Sequence, residues 1–117
     1  MSSKVYFTRE ISPDKVLELY KLLGCELEGN VAIKVHSGEK GNQNFLRPDF
    51  WENIITHVGG TVVECNTAYA GERNTTEKHK KLIEYHGWSK MFPVEILDEE
   101  GPDLELDVPN GKVIKKN

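Results

Sequence analysis

The sequence predicts an α/β domain: a three-layer, Rossmann-like arrangement of crossover helices on a mainly parallel sheet, followed by a C-terminal β-hairpin. Three observations lead there. Short runs with strand composition, at Lys4–Thr8, Val31–Val35, Thr61–Glu64 and Pro93–Asp98, alternate with helical stretches of about ten to fifteen residues. That alternation implies right-handed crossovers between parallel strands. Beyond Asp98 the apolar period falls to two, with Leu104, Leu106 and Val108 ahead of Asn110-Gly111 and Val113-Ile114 behind it, and Asn-Gly between two such runs signals a hairpin. Finally, 117 residues fit one domain, 1–117, large enough to bury a core without metal or disulfide staples.

Each element has its own signals. Lys4-Val5-Tyr6-Phe7-Thr8 has strand composition and opens the fold. Ser12-Pro13-Asp14 starts the first helix: a hydroxyl cap, a proline where its missing N–H does no harm, and an acid near the positive end of the dipole. Val16, Leu19, Tyr20, Leu23 and Leu27 recur at helical spacing, and Gly29-Asn30 closes the helix. Val31–Val35 is the second strand. After a glycine-bearing loop, Arg47-Pro48-Asp49 begins a helix with Phe50, Trp51, Ile54, Ile55 and Val58 as its apolar stripe and Gly59-Gly60 as its stop. The third strand, Thr61 to Glu64, leads through a long polar segment to a threonine-capped helix from about Thr76 to His86, ended by Gly87. Pro93–Asp98 is the fourth strand. The run Lys115-Lys116-Asn117 stops where continued chain is expected.

Composition narrows the function. With 29% charged and 38% hydrophobic residues the chain is of a soluble globular kind, and a net charge of −4 argues against a nucleic-acid module. No apolar stretch approaches membrane-span length and the start lacks a signal-peptide core, so the expected location is cytoplasmic, with no membrane partner. Cys25 and Cys65 are far apart, so no iron–sulfur cluster is expected from this chain alone.

Two excursions carry the polar chemistry, residues 36–46 and 65–75. Both leave the carboxyl ends of strands, where ligands of parallel sheets collect, and both therefore open onto one cleft. In the first, Ser37, Gly38 and Gly41 offer backbone N–H groups to an anion, with Lys34, Lys40 and Arg47 as countercharge. The loop has no Gly-Lys-Ser/Thr ending, and a plain solvated turn reads it equally well. In the second, Asn66 and Thr67 leave the strand and Arg73, Asn74, Thr75 and Thr76 reach the helix start, a seat for a carboxylate or phosphate. Its length exceeds an ordinary strand-to-helix connection of about two to six residues. The bland account makes Thr75 or Thr76 a cap and sends Arg73 into water. Tyr69 either stacks on a ligand or anchors the loop. His36, Cys65 and His79 are the candidate metal set, although their spacing follows no zinc pattern. Glu39, Glu64 and Glu72 are general bases in principle, with nothing in the sequence to place a proton beside them.

The strings KVYFTREISPDKVLELYKLLG, VAIKVHSGEKGNQNFLRP, GTVVECNTAYAGERNTTEKH, HGW and VEILDEEG together resemble the amino-terminal part of the domain of unknown function 362 family, often described as iron–sulfur-centre proteins. The resemblance covers nearly the whole chain and is most specific over Lys34–Glu39 and Glu64–His79. It implies Lys34, His36, Gly38, Glu39, Asn66, Thr67, Tyr69, Arg73, Thr75, Thr76 and His79 as site residues. Family members run well beyond this length, with a later segment rich in His, Gly and Lys and often a ferredoxin-like run of cysteines. The resemblance thus makes this chain a first lobe or fragment. The family's second half is similar to a stretch of nickel-pincer lactate racemases, a likeness of fold alone. Two functions compete: a lobe of a larger redox or isomerase-type enzyme that binds a small anion or cofactor, completed by a C-terminal half or partner protein, or a non-catalytic interaction module. A self-sufficient hydrolase using Cys65 with His36 or His79 lacks a third, orienting group.

Overall fold

A computed structural model describes residues 3–101 and 104–116. Its architecture turns on β2 (Thr61–Glu64), the central strand of a three-stranded sheet with β1 (Ala32–Lys34) and β3 (Val94–Ile96) as its parallel neighbours. Ile33 pairs with Val62 on one side and Val94 with Val62 on the other. A strand paired on both edges and covered on both faces is read as a continuous apolar run, and Val62 and Val63 are buried accordingly. Parallel pairing obliges the chain to return across the sheet each time. Helix α2 (Pro48–Val58) makes the first return, and α3 (Thr76–Tyr85) with the one-turn α4 (Trp88–Met91) makes the second.

The core is the cluster Val35, Ile55, Val62, Ile83, Trp88 and Ile96, with Ile33, Trp51, Phe92 and Val94 packed against it. It draws on all three strands, α2, α3 and α4. Pro48 opens α2 where its absent N–H costs nothing, and Gly59, with φ of 70°, ends it in the left-handed turn that residues with a Cβ resist.

The sheet is smaller than the sequence predicts. Lys4–Thr8 joins no strand; it runs beside α1 (Pro13–Leu22) with Val5 and Phe7 facing solvent. Helix α1 begins as expected, Ser12 Oγ accepting from the Lys15 N–H at 3.4 Å. It ends at Leu22 rather than at Gly29-Asn30, because Gly24 takes the left-handed φ of 63° and donates its N–H to the Lys21 carbonyl at 3.1 Å. The glycine inside the apolar period outweighs the period itself.

The expected hairpin reduces to one antiparallel bridge, Asp107 with Lys116, around a turn in which Asn110 adopts φ of 62°. Leu104, Leu106, Val113 and Ile114 stay exposed, and a two-stranded ribbon without a face to pack against is only marginally stable. The terminal Asn117 lies outside the described residues. The α/β class with a parallel sheet holds, as three strands and four helices among the described residues. Further strands would be needed to build a Rossmann-like layer.

Candidate functional site

The carboxyl edge of the sheet is organised by an acid. β2 ends in Glu64, 1% exposed, the side chain of a core position bearing a charge. A carboxylate taken out of water has to be paired and hydrogen-bonded. Four donors meet it: Lys34 Nζ and the Cys65 N–H, at 3.2 Å, on Oε2, and the Ser37 N–H, at 2.8 Å, with Arg73 Nη1, at 3.4 Å, on Oε1. Burial alone would raise its pKa, but the Lys34 ammonium and the Ser37 N–H more than offset that and hold the carboxyl below its ordinary 4.5.

The two polar excursions meet through this hub. Arg73 is buried, and its Nε donates to Glu39 Oε1 at 2.6 Å and its Nη2 to the Tyr69 hydroxyl at 2.7 Å. Tyr69 in turn donates to Glu39 Oε1 at 3.3 Å. The guanidinium that the sequence offers to an anion is thus taken up by Glu39, Glu64 and Tyr69. Gly38 and Arg73 are both buried, and they are linked through Glu39, the neighbour of Gly38, which accepts from Arg73 Nε.

Beside the ionic cluster runs a neutral relay. Burial, then the nearby Arg73 and Lys34 charges, depress the His79 pKa below 6.5 against the opposing pull of Glu64, so the ring is neutral near pH 7. Asn66 Oδ1 lies 3.2 Å from Nδ1 and Ser37 Oγ 3.1 Å from Nε2. With Asn66 oriented so that its Nδ2 donates to Thr76 Oγ1 at 2.9 Å, its oxygen accepts from His79 Nδ1–H. Nε2 then accepts from the Ser37 hydroxyl. A hydroxyl, an imidazole and an amide in this order are the parts of a nucleophile-activating relay. Here Ser37 Oγ is sealed in the interior, and the relay ties both excursions to α3.

Ser37 is held at every polar atom. Its carbonyl also accepts from His86 Nδ1 at 2.8 Å and from Trp88 Nε1 at 3.2 Å. Gly38 follows with φ of 93°, where a Cβ would stand 2.7 Å from the Phe45 ring. The Gly38 N–H donates to His36 Nδ1 at 3.1 Å, so the amides of both Ser37 and Gly38 are occupied within the chain. From Glu39 to Asn42 the loop is a turn, closed by the Asn42 N–H on the Glu39 carbonyl at 3.0 Å.

The structure therefore gathers Lys34, Ser37, Glu39, Asn66, Tyr69, Arg73, Thr76 and His79 into one network. Thr67 belongs to its frame, donating its N–H to the Arg73 carbonyl at 2.9 Å. Thr75 occupies the cap position of α3 without a side-chain cap bond and is exposed. The proposed metal set is not assembled: His36 is exposed, both His79 nitrogens have protein partners, and among the described residues no group of three or more His, Cys, Asp and Glu could hold a metal ion. Cys25 and Cys65 are both free thiols, two where a cluster needs about four, so the chain does not fit an iron–sulfur centre of its own.

Glu64 as hub, His86, Trp88 and Asp98, which accepts the Asn66 N–H at 2.8 Å, are the residues that sequence reasoning passed over. One signal was present for Glu64: an acid closing a run of buried β-branched residues needs donors nearby.

No curated protein and no solved structure matches the chain. The model of the family described as domain of unknown function (DUF362) matches residues 31–117, the span that holds the sheet, both polar excursions and the Glu64 hub, and the chain belongs to that family.

Proposed function

We propose that the carboxyl edge of the sheet contacts a small anion or an anionic cofactor, as one lobe of a larger redox or isomerase-type enzyme. One observation carries this reading. The Lys34 ammonium donates to Glu64 Oε2 and to the Val35 carbonyl, at 2.9 Å for the latter, yet its side chain is 57% exposed. An ammonium has three donors, so one remains for a ligand while the other two fix its position. Arg73, Glu39 and His79 act on this reading as positioning residues. A three-layer Rossmann-like arrangement is completed when a second lobe or partner adds strands, and a cytoplasmic setting suits two reduced thiols.

Titration of the protein with inorganic phosphate, acetate and adenine nucleotides, followed by amide chemical shifts, tests the reading. Saturable shifts at Lys34 and Cys65 that vanish in Lys34→Met support it. Absence of saturable binding by all three probes refutes it. A non-catalytic interaction module is the second reading, favoured by the large exposed apolar side chains, among them Leu22, Leu27, Leu46 and Tyr85.

A further inference from the structure

Arg73 is held by two carboxylates of different standing. Glu64 is buried at the end of β2, and its other donors, the Lys34 ammonium and the Ser37 and Cys65 N–H groups, fix it there. Glu39 instead opens the surface turn 39–42, and its side chain is 31% exposed. Among the described residues that side chain accepts only from Arg73 Nε, at 2.6 Å, and from the Tyr69 hydroxyl, at 3.3 Å. Both donors meet Oε1. Oε2 faces Gly71, where an added Cβ would stand 3.8 Å away. A carboxylate gripped by both arms of a guanidinium is bound more firmly than one gripped through a single oxygen. Glu39 therefore covers Arg73 from the solvent side without being locked to it.

Charge decides what could take its place. Lys34 and Arg73 are positive, Glu64 and Glu39 negative, and the adjoining His79 neutral, so the paired set sums to zero. Swinging Glu39 into water leaves a positive charge uncompensated on a side chain only 6% exposed, and a buried charge needs a counterion. A monocarboxylate restores neutrality and inherits both donors of Oε1. A phosphate dianion would leave a surplus negative charge, to which nearby Asp98, on the Asn66 N–H, adds.

We infer that Glu39 is an internal stand-in for a monocarboxylate ligand, which displaces it and binds Arg73 Nε and the Tyr69 hydroxyl in its place. With Glu39 docked, Arg73 only positions Glu64; with Glu39 withdrawn, the guanidinium meets the ligand directly. The inference rests on reading this edge as an anion site and narrows the anion to one class, with exchange at Arg73 and contact at Lys34 observed separately.

Acetate titration of the full chain, followed at the Arg73 Nε–H resonance, tests it, with sodium chloride holding the ionic strength constant. The range runs to about 200 mM, since so small a ligand binds weakly. Glu39→Ala should bind acetate at least about tenfold more tightly than the parent, the worth of one charge-assisted hydrogen bond no longer contested from within the chain. Acetate should also raise the melting temperature of Glu39→Ala in a saturable way, and inorganic phosphate should raise it no more than chloride does. Glu39→Gln keeps the shape of the side chain, should shift affinity in the same direction, and decides the matter if the alanine variant does not fold. Equal affinity in the parent and the folded variant, acetate no better than chloride, or phosphate binding as tightly as acetate would each overturn the inference. If acetate shifts Lys34 in the parent but gains nothing in either Glu39 variant, the exchange fails while the anion edge stands. A gain in the variants with Lys34 unmoved supports the exchange and removes the Lys34 contact.

Discussion

Ser37 and Glu64 stand 27 positions apart in the chain, and the Ser37 N–H donates to Glu64 Oε1 at 2.8 Å inside the molecule. This one bond joins the loop leaving β1 to the end of β2. It also turns an isolated buried acid into the anchor of both polar excursions.

Replacing Glu64 by Gln keeps its shape and removes its charge, leaving the buried Arg73 guanidinium short of a counterion. Removing one partner of a buried ion pair costs about 3–5 kcal/mol, and the low end applies because Lys34 can turn to water. Urea denaturation of Glu64→Gln should show a lower midpoint at an unchanged m-value. A variant as stable as the parent would mean that the network contributes nothing net.

Acid should weaken the fold in two stages of the same sign. The folded His79 pKa lies below 6.5, so its neutral ring contributes stability that is complete above that value and is lost as pH falls toward the folded pKa. The Glu64 pKa lies below 4.5, so its contribution is present above 4.5 and is lost as pH falls through the folded value. Thermal melts from pH 8 to 3 should therefore decline first below about 6.5 and again below about 4.5. His79→Gln should lack the first decline and Glu64→Gln the second.

Gly38→Ala meets both a backbone and a packing objection, the φ of 93° and the Phe45 ring 2.7 Å from the added carbon. A loss of about 2 kcal/mol is expected. In a Phe45→Ala background the clash disappears while the φ strain stays, so the same substitution should cost less there. Equal costs in the two backgrounds would show that the ring moves aside freely.

The thiols should both titrate. Cys25 is exposed and Cys65 half-buried, and neither is in a disulfide. A chromogenic disulfide reagent should release two equivalents per chain from native protein, Cys25 reacting first and Cys65 more slowly, with Cys25→Ser removing the fast phase.

Much of this was legible in the sequence where the signal is local. Pro48 and Gly59 mark α2, Ser12 and Pro13 start α1, and the β-branched run 61–63 marks the central strand. The meeting of the two polar excursions was legible as well, because parallel topology alone puts their origins on one edge. What each residue does there was not. Arg73 reads as a free guanidinium until Glu39, at a separation of 34 positions, is placed on its Nε. His79 reads as one of a candidate metal set until Ser37 and Asn66 close on its two nitrogens.

The sequence by itself determined the class, the order of most elements and the edge on which polar chemistry gathers. Those follow from periodicity, capping and chain direction, which neighbouring residues settle among themselves. Tertiary structure alone decided that Glu64 is the hub, that Lys34 keeps a face to solvent while Arg73 is enclosed, and that Lys4–Thr8 stays off the sheet. Hydrogen-bond partners and burial are properties of residues far apart in the chain, and no local preference encodes which of several like groups will find each other.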